Sequence, residues 1–337
     1  MITTAHADLI ERLTKKVTLA GDARDEIVVK APFTGAVLGT TPAGTAEDVE
    51  EGARRARAAQ PAWAALPWRE RRKVLLRFHD AVLDRQEEIL DLIQLESGKA
   101  RRHAFEEVLD AALTSRYYAN HGRRHIQSRR RKGALPLLTH TVEHHYPKGL
   151  IGFITPWNYP LVLGIGDALP ALLAGNAVLI KPDRQTPFST LWAVEVLEEC
   201  GLPAEVAQVV TGSGAGLGKP IIERVDYVMF TGSTATGKVV AAQAASRLIG
   251  ASMELGGKNA MIVLDDADLE KTVEGAVRAC FSNGGQLCIA MERLYVQDGI
   301  HERFVSAFAE RIKGMDVGPS LGYGPEMGSL VSESQLE

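Results

Sequence analysis

Apolar positions in the first third of the chain recur every three or four residues, which is the spacing of one face of a helix. The ladder lies between Leu66 and Gly98 and comprises Val74, Leu75, Phe78, Val82, Leu83, Ile89, Leu90 and Ile93. Charged residues occupy the positions between them, and glycine commonly ends a helix, so the pattern predicts a helix that stops at Gly98. A second helix is predicted from about Ala100 to Asn120, and we therefore expect the first third to be helical.

From Lys148 onward, short apolar runs alternate with helical stretches. The predicted strands are 149–155, 177–181, 206–210, 225–230 and 260–264. The predicted helices are 160–173, 186–199, a short one after Gly214, and 235–248. Strands separated by helices of this length indicate a doubly wound α/β fold with a parallel sheet. Ligands in such sheets bind outside the carboxyl ends of the strands, so the loops that follow each strand are the informative ones.

Composition narrows the class of protein. The length of 337 residues suggests about two domains, at roughly 150 residues each. Hydrophobic residues make up 45% of the chain and the formal charge is −4, so the chain is typical of a folded protein without a global attraction to nucleic acid. The basic segment 121–132 is interpreted as a solvated connection between domains, the alternative being a surface for an anionic partner.

Location is predicted from what the chain lacks. Residues 1–20 contain no apolar secretory signal, and no apolar run reaches the roughly 18 residues that a membrane span requires. The three cysteines, an odd number without paired spacing, are typical of a reducing compartment. We therefore expect a cytoplasmic protein that has neither nucleic acid nor a membrane as its partner.

Two glycine-rich loops follow predicted strands. The segment Gly232-Ser-Thr-Ala-Thr-Gly-Lys238 is similar to a P-loop, but Val239 stands where a hydroxyl residue would bind magnesium, which disfavours a nucleotide hydrolase. The loop 212–218 lacks the G-x-G-x-x-G spacing of dinucleotide-binding proteins. A dinucleotide phosphate can still bind N–H groups where Gly232 and Ser233 open a helix; the alternative is an ordinary turn.

Cys288 is the candidate nucleophile among the three cysteines. It follows polar Asn283, two glycines and Gln286, a context that favours an exposed thiol, although a lone cysteine is more often structural. Cys280 continues the apolar ladder of its helix, and Cys200 ends another apolar helix, so both are predicted to be core residues.

Two further residues have chemistry that suits a cleft. Glu254 ends a short apolar element before two glycines, where a general base could act; the alternative is a solvated acid at a strand end. Asn158 follows a strand and a Pro-Trp pair, where its amide can donate to a developing oxyanion; asparagine is also a common helix cap.

Five ordered segments together resemble the aldehyde dehydrogenase superfamily, most nearly its NADP-type succinate-semialdehyde dehydrogenases. They are Thr155-Pro-Trp-Asn-Tyr-Pro160, Leu179-Ile-Lys-Pro-Asp183 with Gln185-Thr-Pro187, Phe230-Thr-Gly-Ser-Thr234, Met253-Glu-Leu-Gly-Gly-Lys258 and Gly285-Gln-Leu-Cys288. The resemblance extends from about Pro32 to Leu330. It implies a dinucleotide-binding domain and an α/β catalytic domain.

The resemblance also implies a role for each candidate. Cys288 would attack the aldehyde and form a thiohemiacetal, Asn158 and the Cys288 N–H would stabilise the oxyanion, and hydride transfer would leave a thioester. Glu254 would activate the water that hydrolyses this thioester. No metal is implied, and the sequence has no Cys/His spacing that would bind one.

The cofactor positions implied by the resemblance lie on five loops. They are Thr155, Trp157, Asn158, Lys181, Pro182, Asp183, Arg184, Gly212, Gly216, Phe230, Gly232, Ser233 and Leu255. Relatives that prefer NAD usually carry a glutamate where this chain has Arg184. A carboxylate there repels a 2′-phosphate and an arginine attracts it, so we predict NADP, with NAD as the other option.

The chain departs from the family pattern in two places. The helix after Asn158 begins Leu161-Val-Leu-Gly-Ile-Gly166 and lacks the arginine with which some succinate-semialdehyde dehydrogenases bind the substrate carboxylate, so other aldehydes stay open. Relatives also continue well past the cysteine, which implies that this chain is C-terminally truncated.

The expected organisation follows from the second departure. Residues 1–253 would form the cofactor-binding domain, with an oligomerisation hairpin at about 133–147, and residues 254–337 would form the N-terminal part of an incomplete catalytic domain. Full-length relatives are expected to be homo-oligomers. The alternative to an active enzyme is an inactive remnant that binds nucleotide or pairs with an intact subunit.

Overall fold

A computed structural model describes residues 2–21, 25–135 and 138–337 of the chain. The α-helices are α1 (Thr4–Thr14), α2 (Ala46–Ala65), α3 (Trp68–Asp84), α4 (Gln86–Ser97), α5 (Arg101–His121), α6 (Arg123–Ile126), α7 (Val162–Ile165), α8 (Ala168–Leu173), α9 (Phe188–Glu199), α10 (Gly214–Arg224), α11 (Thr234–Ser246), α12 (Leu269–Phe281), α13 (Asp298–Lys313) and α14 (Glu333–Leu336). The strands are β1 (Glu26–Lys30), β2 (Val37–Pro42), β3 (Arg129–Arg131), β4 (Thr141–Glu143), β5 (Leu150–Ile154), β6 (Ala177–Lys181), β7 (Ala207–Val209), β8 (Tyr227–Gly232), β9 (Gly250–Leu255), β10 (Asn259–Val263) and β11 (Met291–Val296).

A five-stranded sheet lies at the centre of the molecule, with the order β7-β6-β5-β8-β9. Every neighbouring pair in it is parallel, which confirms the predicted α/β fold. Strands β5 and β6 are buried at every position, because helices pack on the sheet; α2 and α10 contact β5, and α8 contacts β6. All five carboxyl ends point to one edge of the sheet.

Two predicted helices are interrupted in the structure. The ladder from Leu66 to Gly98 forms α3 and α4, which meet at Arg85, and Gly98 ends α4 in the left-handed conformation with φ +76°. The predicted helix 160–173 divides into α7 and α8. In both places the apolar pattern continues across the break, and periodicity alone therefore does not reveal it.

Two predictions about strands are wrong, and one strand of the central sheet is missing from the predicted set. The first third is not wholly helical, because β1 and β2 form an antiparallel hairpin there. Strand β9, at the edge of the central sheet, was not predicted; its sequence GASMEL has only a weak apolar pattern. Strand β10, expected to complete the central sheet, instead pairs in parallel with β11 in a separate sheet.

The basic segment 121–132 is mostly exposed, as expected of a solvated segment, and it contains α6 and β3. Its interpretation as a connection between domains stays a prediction. Strand β3 pairs with β4 in an antiparallel ribbon, and β4 lies inside the hairpin predicted at 133–147. Residues 136 and 137 of that hairpin lie outside the described residues. Its role in oligomerisation stays a prediction.

Buried apolar side chains form two clusters. The larger extends from Leu9 to Ala244 and includes the central sheet. The smaller lies between Val263 and Phe304, under β10, β11, α12 and α13. The proposed boundary between 253 and 254 stays a prediction. Within the described ranges, none of the helices is long and apolar enough to cross a membrane.

Candidate active site

The carboxyl edge of the central sheet brings the predicted cofactor residues together. Thr155 follows β5, and Lys181 ends β6 beside it; the Thr155 N–H donates to the Lys181 carbonyl across 3.1 Å. Gly212 follows β7, Gly232 ends β8 and Leu255 ends β9. Parallel pairing therefore gathers loops that are far apart in the sequence.

Two buried polar groups at this edge lack the partners that burial normally demands. The Thr155 hydroxyl oxygen is buried and has no hydrogen-bond partner among the described residues. Lys181 is 3% exposed, and among the described residues its ammonium donates to the neighbouring Pro182 carbonyl alone, across 3.0 Å. Desolvation lowers the pKa of Lys181. Both groups fit a bound polar molecule, such as a dinucleotide ribose, that would supply hydrogen-bond partners.

The residues after β6 form a turn that exposes Arg184. The Asp183 carboxylate accepts from the Gln185 N–H across 2.9 Å, which fixes this turn. Arg184 makes no hydrogen bond or ion pair with the described part of the chain, and it lines a cavity of about 340 Å³ together with Lys30 and Gln185. A free guanidinium beside Lys181 suits a phosphate group.

Two helices begin at this edge with serine caps. Ser213 accepts from the Gly216 N–H at the start of α10, and Ser233 accepts from the Thr236 N–H at the start of α11. At Gly232 a Cβ atom would lie 2.6 Å from the Phe230 ring, so a side chain there would require the ring to shift. These features fit the phosphate-binding role expected of the α11 terminus.

The cysteine loop, residues 282–290, follows α12 through an unusual turn. Asn283, Gly284 and Gly285 have φ values of +53°, +66° and +78°, so three successive residues are left-handed. Glycine adopts this conformation freely, and asparagine tolerates it better than most residues do. The turn brings Cys288 to a half-buried position.

In the part of the chain that the structure describes, hydrogen bonds reach the main chain of Cys288 and not its thiol. Asn259, at the start of β10, donates from Nδ2 to the carbonyls of Cys288 and Ala290 across 2.8 and 3.0 Å. Within the described ranges, nothing accepts a hydrogen bond from the Cys288 N–H. That N–H is therefore available to a ligand.

Asn158 contacts the cysteine loop directly. Its Nδ2 donates to the Gln286 carbonyl across 2.9 Å. Asn283 donates from its own Nδ2 to the Asn158 carbonyl across 3.0 Å and to the Gln286 carbonyl across 3.3 Å. The loop after β5 and the cysteine loop thus share a set of hydrogen bonds, although 125 residues separate Asn158 from Asn283.

A buried ion pair holds the main-chain carbonyl of Asn158. Lys99 donates from Nζ to Glu107 Oε1 across 2.5 Å and to the Asn158 carbonyl across 2.6 Å, and both side chains are 0% exposed. Glu107 accepts from the N–H groups of Leu161 and Val162 across 2.8 and 3.2 Å. Burial raises the pKa of Glu107 and lowers that of Lys99, while their mutual attraction opposes both shifts.

Glu254 lies exposed on β9, next to Leu255. Successive side chains of a strand point to opposite faces, so Leu255 packs against Gly237 of α11 while Glu254 lines a cavity of about 370 Å³ with Asp167. Burial and then the negative charge of Glu254 raise the pKa of Asp167. The Glu254 carboxylate forms no hydrogen bond with any described residue, which leaves it accessible to water.

Comparison with known proteins agrees with this geometry. The model of the aldehyde dehydrogenase family matches residues 19–337. The chain belongs to the aldehyde dehydrogenase family.

Two relatives that are similar to the chain in sequence carry the same enzyme name. A protein of Mycolicibacterium smegmatis, named a putative NADP(+) succinate-semialdehyde dehydrogenase, is 48% identical over 94% of this chain and 61% of its own length. The NADP(+) succinate-semialdehyde dehydrogenase of Escherichia coli K12 is 36% identical over 93% of this chain and 65% of its own. The chain thus spans less than two thirds of these curated relatives.

Solved structures have the same fold. An NADP-dependent enzyme of E. coli superposes with a TM-score of 0.91 at 34% identity, covering 96% of this chain and 69% of that one. The resemblance noted from the five sequence segments is therefore confirmed at the level of family and fold.

The other two thiols of this aldehyde dehydrogenase chain lie elsewhere. Cys200 is 6% exposed, and burial raises its pKa to about 11, as expected of a core cysteine. Cys280 is only half-buried on α12, and burial raises its pKa as well. In the described ranges, His, Cys, Asp and Glu form no group of three that could hold a metal ion.

Sequence reasoning missed several residues that organise the site. Lys99, Glu107 and Asn259 were not singled out, and His103, which contacts the cysteine loop, was not either. Lys99 and Glu107 lie on the α4–α5 segment, where charged residues are expected on an exposed face. Their complete burial is what identifies Lys99 and Glu107 as residues of the site, and the burial of a charged side chain cannot be read from a sequence.

Proposed function

We propose that this chain carries the nucleophile and the cofactor site of an NADP-dependent aldehyde dehydrogenase that oxidises succinate semialdehyde to the acid. The observation that supports this most directly is the set of hydrogen bonds between Asn158 and the cysteine loop. It places the Asn158 amide against the loop that carries the Cys288 thiol and the Cys288 N–H, for which no described residue provides an acceptor.

In the proposed first step, the Cys288 thiolate adds to the aldehyde carbon. A carbon–sulfur bond forms, and the carbonyl π electrons move to the oxygen. The Cys288 N–H and the second hydrogen of the Asn158 Nδ2 would donate to this oxyanion. The Nδ2 bond to Gln286 orients the amide, and no described residue accepts its second hydrogen.

Collapse of the oxyanion re-forms the carbonyl and leaves a thioester on Cys288. Bound NADP⁺ supplies the acceptor for the hydride that leaves the same carbon. Thr155, Lys181 and Arg184 would hold this dinucleotide, the first two through the ribose hydroxyls and Arg184 through the 2′-phosphate. Gly232 and Ser233 would bind its phosphates at the start of α11.

In the last step Glu254 would take a proton from water, and the resulting hydroxide would attack the thioester carbon. The carbon–sulfur bond breaks, the Cys288 thiolate leaves, and the carboxylic acid is released. Glu254 then returns its proton to solvent, which its exposed position on β9 permits.

The substrate class is supported by the names of the relatives and not by a cation in the site. Residues 161–166 contain no positive side chain, so the succinate carboxylate would need another partner. Comparing succinate semialdehyde with butanal tests this, because both have four carbons and only one carries a carboxylate. Equal kcat/KM values would reject recognition of the carboxylate.

The decisive experiment measures NADPH formation by the 337-residue chain at 340 nm. We expect Cys288→Ser to abolish turnover but not NADP⁺ binding, while the matched variant Cys280→Ser stays active. Glu254→Gln should form one equivalent of NADPH per site and then stop, because the thioester is not hydrolysed. NADP⁺ binding without aldehyde-dependent NADPH formation in the parent chain would overturn the proposal and favour a nucleotide-binding remnant.

A further inference from the structure

His103 lies on α5, directly behind the cysteine loop. Its Nδ1 accepts a hydrogen bond from the main-chain N–H of Asn283 across 3.1 Å. His103 is 6% exposed and Asn283 is 3% exposed, so both partners of this bond are buried. A buried N–H that loses its acceptor is costly, and the bond therefore constrains the position of Asn283.

A constraint on the position of Asn283 affects the turn that leads to Cys288. Asn283 begins this left-handed turn, and it is the only residue of that turn with a side chain. A non-glycine residue stays in this conformation only where its surroundings hold it. His103 holds the main-chain N–H, while the carbonyls of Asn158 and Gln286 hold the side-chain amide.

The imidazole of His103 has the charge state that accepting a hydrogen bond requires. Burial lowers the pKa of His103 to about 4, and the positive charges of Lys99, Arg102 and Arg278 act in the same direction. The ring is therefore neutral near pH 7, with a lone pair on Nδ1 and its proton on Nε2. Arg102 and Arg278 are occupied elsewhere, in ion pairs with Glu326 and Glu106 at 3.6 and 3.1 Å.

We propose that His103 is a positioning residue for Cys288, which acts by holding the Asn283 N–H and with it the left-handed turn of the cysteine loop. This inference rests on the proposed role of Cys288 as the nucleophile. His103 itself need not touch the substrate, since its Nδ1 is occupied by the loop.

Two substitutions distinguish the effect of the hydrogen-bond acceptor from the effect of the volume of the imidazole ring. His103→Asn keeps an acceptor near the position of Nδ1, and His103→Leu fills similar space without one. We expect H103L to lower kcat by about 10- to 100-fold with both KM values nearly unchanged, and H103N to recover most of the rate. His301→Leu, on the exposed surface of α13, serves as the control and should change nothing.

A second measurement does not depend on turnover. Iodoacetamide alkylation of Cys288 can be compared with that of Cys280 by fragmenting the tryptic peptide 279–293, which contains both thiols. Releasing the turn should raise the Cys288 rate relative to Cys280 by about fivefold in H103L, and H103N should stay near the parent rate. Equal kcat and equal alkylation in H103L and the parent chain would overturn the positioning role.

The outcomes also distinguish this inference from the proposed function. If the parent chain forms no NADPH while the alkylation rates of H103L and H103N still differ, the positioning role stands and the proposed function fails. If H103L shows no cooperative unfolding transition, the variant is not folded and its rates are not informative. The positioning role is then tested by hydrogen exchange in the unmodified chain. Slow exchange of the Asn283 N–H supports the role, and exchange at the rate of an unstructured loop contradicts it.

Discussion

The side-chain amide of Asn283 and the main-chain carbonyl of Asn158 form a hydrogen bond of 3.0 Å. The same carbonyl accepts from the buried Lys99 ammonium. One oxygen atom therefore joins the loop after β5, the cysteine loop and the ion pair of the α4–α5 segment. The geometry of the site depends on contacts that no single segment provides.

Replacing Asn283 tests this connection. Asn283→Ala loses two side-chain hydrogen bonds and places a Cβ residue without local support at φ +53°, so we expect the free energy of unfolding to fall by about 2–4 kcal/mol. Asn283→Gly loses the same bonds but relieves the backbone, so its loss should be about 1 kcal/mol smaller. Urea denaturation measures both values; equal stability of the two variants would contradict the backbone argument.

Breaking the buried ion pair should be more costly. Lys99→Met leaves the Glu107 carboxylate uncompensated at 0% exposure, and we expect a loss of about 3–5 kcal/mol in the free energy of unfolding. Adding Glu107→Gln removes the isolated charge and should restore part of that loss. Thermal and urea denaturation of the single and double variants check this, and a double variant less stable than Lys99→Met would argue against it.

Cofactor preference depends on Arg184. Arg184→Glu replaces a free guanidinium with a carboxylate that repels a 2′-phosphate, so kcat/KM with NADP⁺ should fall by about 10-fold or more while the value for NAD⁺ holds or rises. Arg184→Gln, which removes the charge without reversing it, should lie between. Steady-state kinetics with each cofactor provides the measurement. A higher kcat/KM with NAD⁺ in the parent chain would refute the NADP assignment.

The lowered pKa of His103 predicts a specific dependence of stability on pH. Its folded-state pKa of about 4 lies below the ordinary value of 6.5, so the unfolded chain binds more protons between these pH values. This contribution to stability is therefore present above pH 6.5 and is lost as the pH falls toward 4, by up to about 3 kcal/mol. Stability curves of the parent chain and H103N, which lacks the titrating ring, should converge or cross over this range; parallel curves would contradict the assignment.

Much of the fold follows from local pattern. Apolar runs separated by amphipathic stretches can bury their surface only in a layered α/β arrangement, and four strands of the central sheet were predicted on that basis. Strand β9 is not among the predicted strands because an edge strand needs little apolar character. Strand β10 is predicted as a strand but assigned to the wrong sheet, because its sequence does not indicate which strand it pairs with.

The sequence by itself determined the family and the candidate chemistry, since the thiol of Cys288, the amide of Asn158 and the carboxylate of Glu254 are properties of residue type and order. Only the tertiary structure decided what holds them. Lys99 meets Asn158 across 59 residues and His103 meets Asn283 across 180. Such contacts arise from helix packing over long separations, and local periodicity carries no record of them.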